Sequence, residues 1–312
     1  MRLKLGRPDL APYVGRFDVP AATGAFGVTF LGVAGLLLDD GHSAVMTDGF
    51  FSRPSLRRVA FGKLAPNLSR IDAALARLEL DRMNGGRRLD AVCPVHTHYD
   101  HAMDSAVVAQ RTGAVLVGGE SAANVGRGAG LGHDRIQVVT PGEPVSFGGF
   151  MLTFLRSQHC PPDRYPGSIT DPVVPPVRAA AYKCGDSWSI LVDHTSGRTA
   201  LLQGSAGFVV GALDGRSADV VYLGVGQLGV LDEGYIRTYW AQTVQAVGAR
   251  RVVLTLWDDF FRPLDEPLQA LPYAGDDLDV TLRVLGELAQ RQGVGLHLPT
   301  LWRREDPWEG LA

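Results

Sequence analysis

Three observations predict an α/β layered sandwich for this chain of 312 residues. Short runs with the alternation or apolar continuity of strands recur from one end to the other. Helical stretches are interleaved with them in both halves, as crossovers between parallel strands require. Turn signals join some neighbouring runs directly, as hairpins do. Hydrophobic residues at 46% and charged residues at 20% are ordinary for a globular chain and exclude global disorder. No low-complexity linker and no fixed-period repeat divides the sequence, so residues 1–312 are expected to form one large domain.

In chain order, strands are expected at residues 28–31, 35–38 and 44–47, with Asp39-Asp40-Gly41 as the hairpin turn between the last two. Ile71, Leu75 and Leu78 fall on one helical face, and Ser69 is available to cap that helix. Residues 89–95 read as a buried strand that runs into His96. A short helix over 103–111 closes at Gly113, and residues 114–117 form the next strand. Strands return over 143–156 around Gly148-Gly149. Residues 161–178 then carry six prolines and no periodicity, the mark of a functional loop or lid. A second hairpin spans 187–192 and 199–202 around Ser196-Gly197. The remainder alternates: strand 219–223, helix 234–247, strand 252–256, helix 277–291, strand 294–298.

The charge balance is 30 basic against 33 acidic residues, net −3, which argues against nucleic acid as a partner. No apolar run approaches the roughly 20 residues that span a bilayer, and Asp9, Pro12, Arg16 and Asp18 interrupt anything resembling a secretory leader. Three cysteines, Cys93, Cys160 and Cys184, lack CxxC spacing and fit reduced thiols. A cytoplasmic protein without a membrane partner is the expectation.

Chemistry concentrates in His96-Thr97-His98-Tyr99-Asp100-His101, just past a hydrophobic strand. Alternate residues of an extended segment point the same way, so His96 and His98 can converge on one ion. Asp100 and His101 fall where the chain turns into a helix and can face a second position. Imidazoles with one carboxylate suit zinc or another borderline divalent metal better than calcium or magnesium. His42, His133, His194 and His297 sit in turns or between leucines and are expected to play no part as ligands. Cys160, beside His159, diverges from it in an extended segment. Tyr99, Trp257, Phe260 and Phe261 flank the same loops, either as pocket lining or as packed loop core.

The HxHxDH run after a buried strand, with the strand pairs and Asp48 ahead of it, resembles the metallo-β-lactamase-fold hydrolases. The resemblance spans nearly the whole chain and implies an αββα four-layer sandwich with metal at one edge of its two sheets. It implies that His96, His98 and His159 hold the first ion and that Asp100 and His101 face the second. It also makes Asp48 a carboxylate that receives an imidazole N–H and fixes the tautomer.

Two positions depart from the family pattern. Ser205 stands where the carboxylate shared by two ions belongs, and Leu256 stands where a C-terminal histidine belongs. Ser205 is then expected behind the ligands rather than among them, and Asp258 or Asp259 is expected as a substitute ligand or a loop brace. Without the shared carboxylate two close cations lack the charge that offsets their repulsion. One tightly bound Zn²⁺ is therefore expected, with a second position weak or empty and Asp100 free to act as general base. The activity implied is hydrolysis of a small-molecule lactone, ester or phosphodiester by an activated water, with loop 161–178 closing over the substrate. The competing reading is a degenerate, non-catalytic member that binds a ligand or a partner. An iron-based redox role is disfavoured by the missing carboxylate.

Overall fold

The computed structural model describes residues 4–80 and 87–311. Its first half lays down β1 (Gly27–Phe30), β2 (Leu36–Asp39), β3 (Ala44–Thr47), β4 (Ala91–Cys93), β5 (Val115–Gly118) and β6 (Ile136–Val138). The helices threaded between them are α1 (Leu56–Phe61), α2 (Leu68–Arg77), α3 (Tyr99–Ala102), α4 (Ser105–Thr112) and α5 (Glu120–Gly128). The second half adds β7 (Pro144–Phe147), β8 (Phe150–Ser157), β9 (Ser187–His194), β10 (Thr199–Gln203), β11 (Val220–Gly224), β12 (Arg251–Thr255) and β13 (Gly295–His297). Helices α6 (Glu233–Trp240) and α7 (Leu278–Gln292) belong to this half, and β14 (Arg304–Glu305) returns to pair with β1.

Two seven-stranded sheets result, ordered β14-β1-β2-β3-β4-β5-β6 and β13-β12-β11-β10-β9-β8-β7. Each has an antiparallel part and a parallel part, β3 to β6 in one and β10 to β13 in the other. Strand alternation sets the layers. Leu36, Leu38, Val45 and Cys93 share one buried cluster with Phe154, Ile190 and Leu201 of the other sheet. Their neighbours Leu37, Met46 and Val92 pack with Ile71, Leu75 and Ala106 of the covering helices. Helices α6 and α7 cover the second sheet, completing the αββα sandwich.

The strand and hairpin readings hold, with ends moved by a residue or two. The Asp39-Asp40-Gly41 turn joins β2 to β3 with Gly41 at a φ of 85°, and Gly113 at 83° ends α4. Four elements were not foreseen: α1, α5, β6 and β14. Helix α5 is rich in small residues and glycine, so its apolar stripe is faint, and β14 is only two residues long. The helix expected over 234–247 is α6 continued by a π-turn at Ala241–Gln245. Helix α2 is capped by Asn67, whose side chain accepts from Arg70 N–H, while Ser69 donates to Asn67 instead. Asn67→Ala is expected to cost about 1 kcal/mol in denaturant unfolding. Ser69→Ala should cost clearly less, and the reverse order would contradict this cap.

Residues 169–177 of the Pro-rich stretch are hydrogen-bonded to the helix and loop beside them. Val177 exchanges two backbone hydrogen bonds with Leu64, and Val173 N–H donates to the Asn124 carbonyl. Ile169 is held at both its N–H and its carbonyl, by Ser121 and Asn124. Movement of residues 169–177 as one body would break all of these bonds.

Candidate metal centre

Strands β3, β8, β10 and β12 all end at one edge of the sandwich, and the chemistry-bearing residues follow them: Asp48, His159, Ser205 and Leu256. Strand β4 lies parallel to β3 and delivers His96 and His98 to the same edge. Glycine makes the approach possible. A Cβ at Gly204 would overlap the Val95 side chain, and one at Gly207 would overlap the Gln158 and His159 backbone carbonyls. Asp48, at a φ of 55°, accepts the Val95 N–H at 2.9 Å and so pins the segment that carries His96. His98 is the N-cap of α3, which places Asp100 and His101 on its only turn.

The structure brings His96, His98 and His159 together, as the sequence reading required. Their ring centroids stand 4.8 Å (His96 to His98), 4.9 Å (His96 to His159) and 4.6 Å (His98 to His159) apart. One ligand nitrogen from each lies within 4.8 Å of the others. Hydrogen bonds leave each ring a free nitrogen. His159 Nδ1–H donates to the Cys160 carbonyl at 2.7 Å, which leaves Nε2 with its lone pair. His98 Nε2 faces Asp163 Oδ1 at 3.1 Å and the Tyr165 carbonyl at 3.4 Å, which leaves Nδ1. His96 is 1% exposed, yet neither of its ring nitrogens has a partner. Burial, reinforced by the neighbouring imidazoles, holds His96 far below the ordinary histidine range. Burial likewise lowers His98, and lowers His159 to about 4. Three neutral imidazoles with lone pairs free are the donor set a tetrahedral zinc site with one open position requires. An orphaned buried imidazole is costly without an ion. The residues fit a metal.

His101 lies against His96, with centroids 3.9 Å apart. Its Nδ1–H donates to Asp48 Oδ2 at 2.7 Å, the orienting contact expected of Asp48. Its Nε2 faces Asp100 Oδ2 at 3.6 Å. Burial works against charge on this ring, but the Asp48 and Asp100 carboxylates outweigh it and raise His101 above the ordinary range. Asp104, a turn further on, accepts from Phe51 N–H, Ser52 N–H and Ser52 Oγ–H and shapes the loop after Asp48. Burial pushes its carboxyl up to about 6 against those hydrogen bonds.

Ser205 braces the centre: its Oγ accepts the Cys160 N–H at 3.0 Å, fixing the segment on which His159 sits. The substitute-ligand expectation for Asp258 and Asp259 is corrected. Asp258 Oδ2 pairs with Arg53 at 2.7 Å and its Oδ1 accepts the Val33 N–H at 2.8 Å, both groups fully enclosed. Asp259 pairs with Arg7 and accepts the Phe261 N–H. Both carboxylates brace loops. Leu256, at a φ of 57°, packs into the apolar cluster around Tyr182 and Tyr99. Tyr99 and Trp257 are buried as loop core, and Cys160 Sγ turns to the Pro161 carbonyl. His194 pairs with Asp40 and Ser196, and His297 with Asp18. Sequence reasoning passed over Asp163, Cys184 and Arg53. Asp163 had one available signal, its place four residues after His159 in the Pro-rich loop; the other two had none.

No family model matches the chain. Two proteins of Rhizobium etli strains, each named a metal-dependent hydrolase, are 27% and 25% identical to it over 135 residues. Those residues are 42% of this chain and 47% of each relative, so the chain spans about half the length of the curated relatives it matches. A metallo hydrolase of the archaeon Ignicoccus hospitalis superimposes with a TM-score of 0.53 at 12% identity, over 89% of this chain and 96% of that one. CmlA, a diiron β-hydroxylase from Streptomyces venezuelae, gives 0.51 at 14% identity, over 91% of this chain and 54% of that one. At such identities the likeness is one of fold. Among the described residues no helix is long and apolar enough to cross a membrane.

Proposed function

We propose, from the imidazole trio at the edge of its αββα sandwich, that the chain is a metal-dependent hydrolase of a small-molecule lactone, ester or phosphodiester, of the metallo-β-lactamase-fold kind that its sequence resembles. One observation carries the reading: His96 is buried beside two other neutral imidazoles with both ring nitrogens unpartnered. A ligand role accounts for that cost. The Rhizobium relatives, named metal-dependent hydrolases, support it over the matched half.

His96, His98 and His159 would hold one ion, and three imidazole donors suit zinc or another borderline divalent metal. When bound, such a cation lowers the pKa of water from ~15.7 toward ~7 and polarises a carbonyl or phosphoryl oxygen. The chain's own groups do the rest. Asp100, partly exposed beside the trio, takes the proton of the attacking water on its carboxylate. His101, held by Asp48, faces Asp100 with Nε2 and keeps that carboxylate oriented. The Cys160 carbonyl and the Asp163 carboxylate hold the His159 and His98 rings in the tautomers that leave a lone pair. Asp163 and Tyr165 of the Pro-rich stretch bound the site at His98.

A second reading, a non-catalytic member that binds a ligand, is favoured by Ser205 and Leu256 and opposed by the intact trio. Metal analysis of protein purified without added metal, followed by dialysis, tests the centre. About one retained equivalent is expected; none, or two equally tight, would overturn it. A panel of bis-p-nitrophenyl phosphate, p-nitrophenyl esters and simple lactones tests the activity. Metal-dependent turnover of at least one is expected, and an ion-loaded protein inert to all would hand the case to the binding reading.

A further inference from the structure

We propose that this chain carries a second cation position, formed by His98, Asp163 and Cys184, displaced toward the Pro-rich loop from the place where the sequence pattern leaves only Asp100 and His101. The proposal rests on the trio reading, since His98 is common to both sets. One ligand atom from each of the three residues lies within 4.8 Å of the others, and Asp163 Oδ1 is 3.1 Å from His98 Nε2. His98 and Cys184 are buried, while the Asp163 side chain is 22% exposed and leaves a way in from solvent.

The three residues are locked together by backbone. Cys184 N–H donates to the Tyr165 carbonyl at 2.8 Å. The Cys184 carbonyl accepts from Thr97 N–H at 2.8 Å and from Thr97 Oγ1 at 3.0 Å, and Thr97 adjoins His98. Tyr165 N–H donates to Asp163 Oδ1 at 2.9 Å, which ties the carboxylate to the same residue whose carbonyl holds Cys184. These contacts hold the donors in place before any ion arrives.

Charge favours the position. Two divalent cations near one another repel, and Ser205 removes the carboxylate that would offset this at the usual place. Asp163 and a Cys184 thiolate bring two negative charges instead. Thiolate, imidazole and carboxylate together select a borderline ion such as zinc or cobalt over magnesium or calcium. His98 offers Nε2 on this side and keeps Nδ1 for the trio. Entry of the cation therefore releases the Cys184 thiol proton and the His98 Nε2 proton to solvent, leaving a shared imidazolate and a neutral Asp163–Cys184–cation unit. A fourth coordination site stays open.

Cobalt(II) titration of the metal-free 312-residue chain tests this by absorption. The first equivalent should give visible d–d bands alone. The second should add a near-ultraviolet thiolate-to-cobalt charge-transfer band. Cys184→Ser should abolish that band, while the d–d bands of the first equivalent persist and report an intact fold. A d–d spectrum without the charge-transfer band in the wild-type chain overturns the loop position and leaves the trio standing. A charge-transfer band that survives Cys184→Ser overturns it as well. Failure of the wild-type chain to bind cobalt at all removes both.

Discussion

His96→Leu is expected to abolish tight metal retention and metal-dependent turnover while leaving the metal-free protein more stable than the wild type. Removing an orienting partner of a metal-bound histidine typically costs about 10–100-fold in affinity or activity, and losing one of three direct ligands should exceed that. The stability effect runs the other way because of what the ring does without an ion. His96 is 1% exposed, neutral through burial, and has no partner on either nitrogen. An unsatisfied buried polar group costs about 1–3 kcal/mol, and a leucine of comparable size removes that cost without opening a large cavity. Denaturant unfolding in chelator should therefore show a gain of ~1–2 kcal/mol. With saturating metal the order should invert, since only the wild type gains from ligation, by about 4 kcal/mol at a free ion concentration 1,000 times Kd. A variant that loses stability in chelator and still retains metal would remove His96 from the centre.

Asp258→Ala is expected to destabilise the fold by about 3–5 kcal/mol, a large part of the ~5–15 kcal/mol that holds a typical domain together. The change strands the Arg53 guanidinium, fully enclosed and paired with Asp258 at 2.7 Å. Two of its nitrogens already lack partners, and its other hydrogen bond, to the Asp259 carbonyl, is long at 3.4 Å and neutral. It also frees the Val33 N–H, at a residue whose φ of 56° strains a β-branched side chain. Urea unfolding measures the loss, and metal analysis at low temperature separates brace from ligand. The folded fraction should keep its equivalent of metal. If Asp258→Ala lost metal at unchanged stability, the carboxylate would be a ligand after all. Replacing both partners, Arg53→Met with Asp258→Leu, should recover much of the loss, because the double change leaves no buried charge alone.

Much of this architecture was legible because its signals are local. Short apolar runs marked β2, β3, β9 and β10, turn chemistry marked the Asp39-Asp40-Gly41 hairpin, and the αL glycine marked the end of α4. Elements of weak or brief pattern escaped: α5 for its small residues, β14 for its length, and α1 because none of its residues is buried. At the site, four of the chemistry-bearing residues stand within one six-residue stretch, and that density carried the reading. Proline content in 161–178 reports an absence of periodicity and says nothing of the hydrogen bonds that join the segment to Leu64 and Asn124.

By itself, then, the sequence determined the order of most strands and helices, the HxHxDH donors, and the chemical consequence of a serine and a leucine in place of two ligands. Those are properties of residue type and spacing, set within a dozen residues of chain. Tertiary structure alone decided that Asp258 serves Arg53 rather than an ion, that Ser205 braces the His159 segment, and that Asp163 and Cys184 meet at His98. Partners 21 to 205 residues apart are chosen by sheet register and by how loops pack across the edge, and neither quantity is written in any local stretch of the chain.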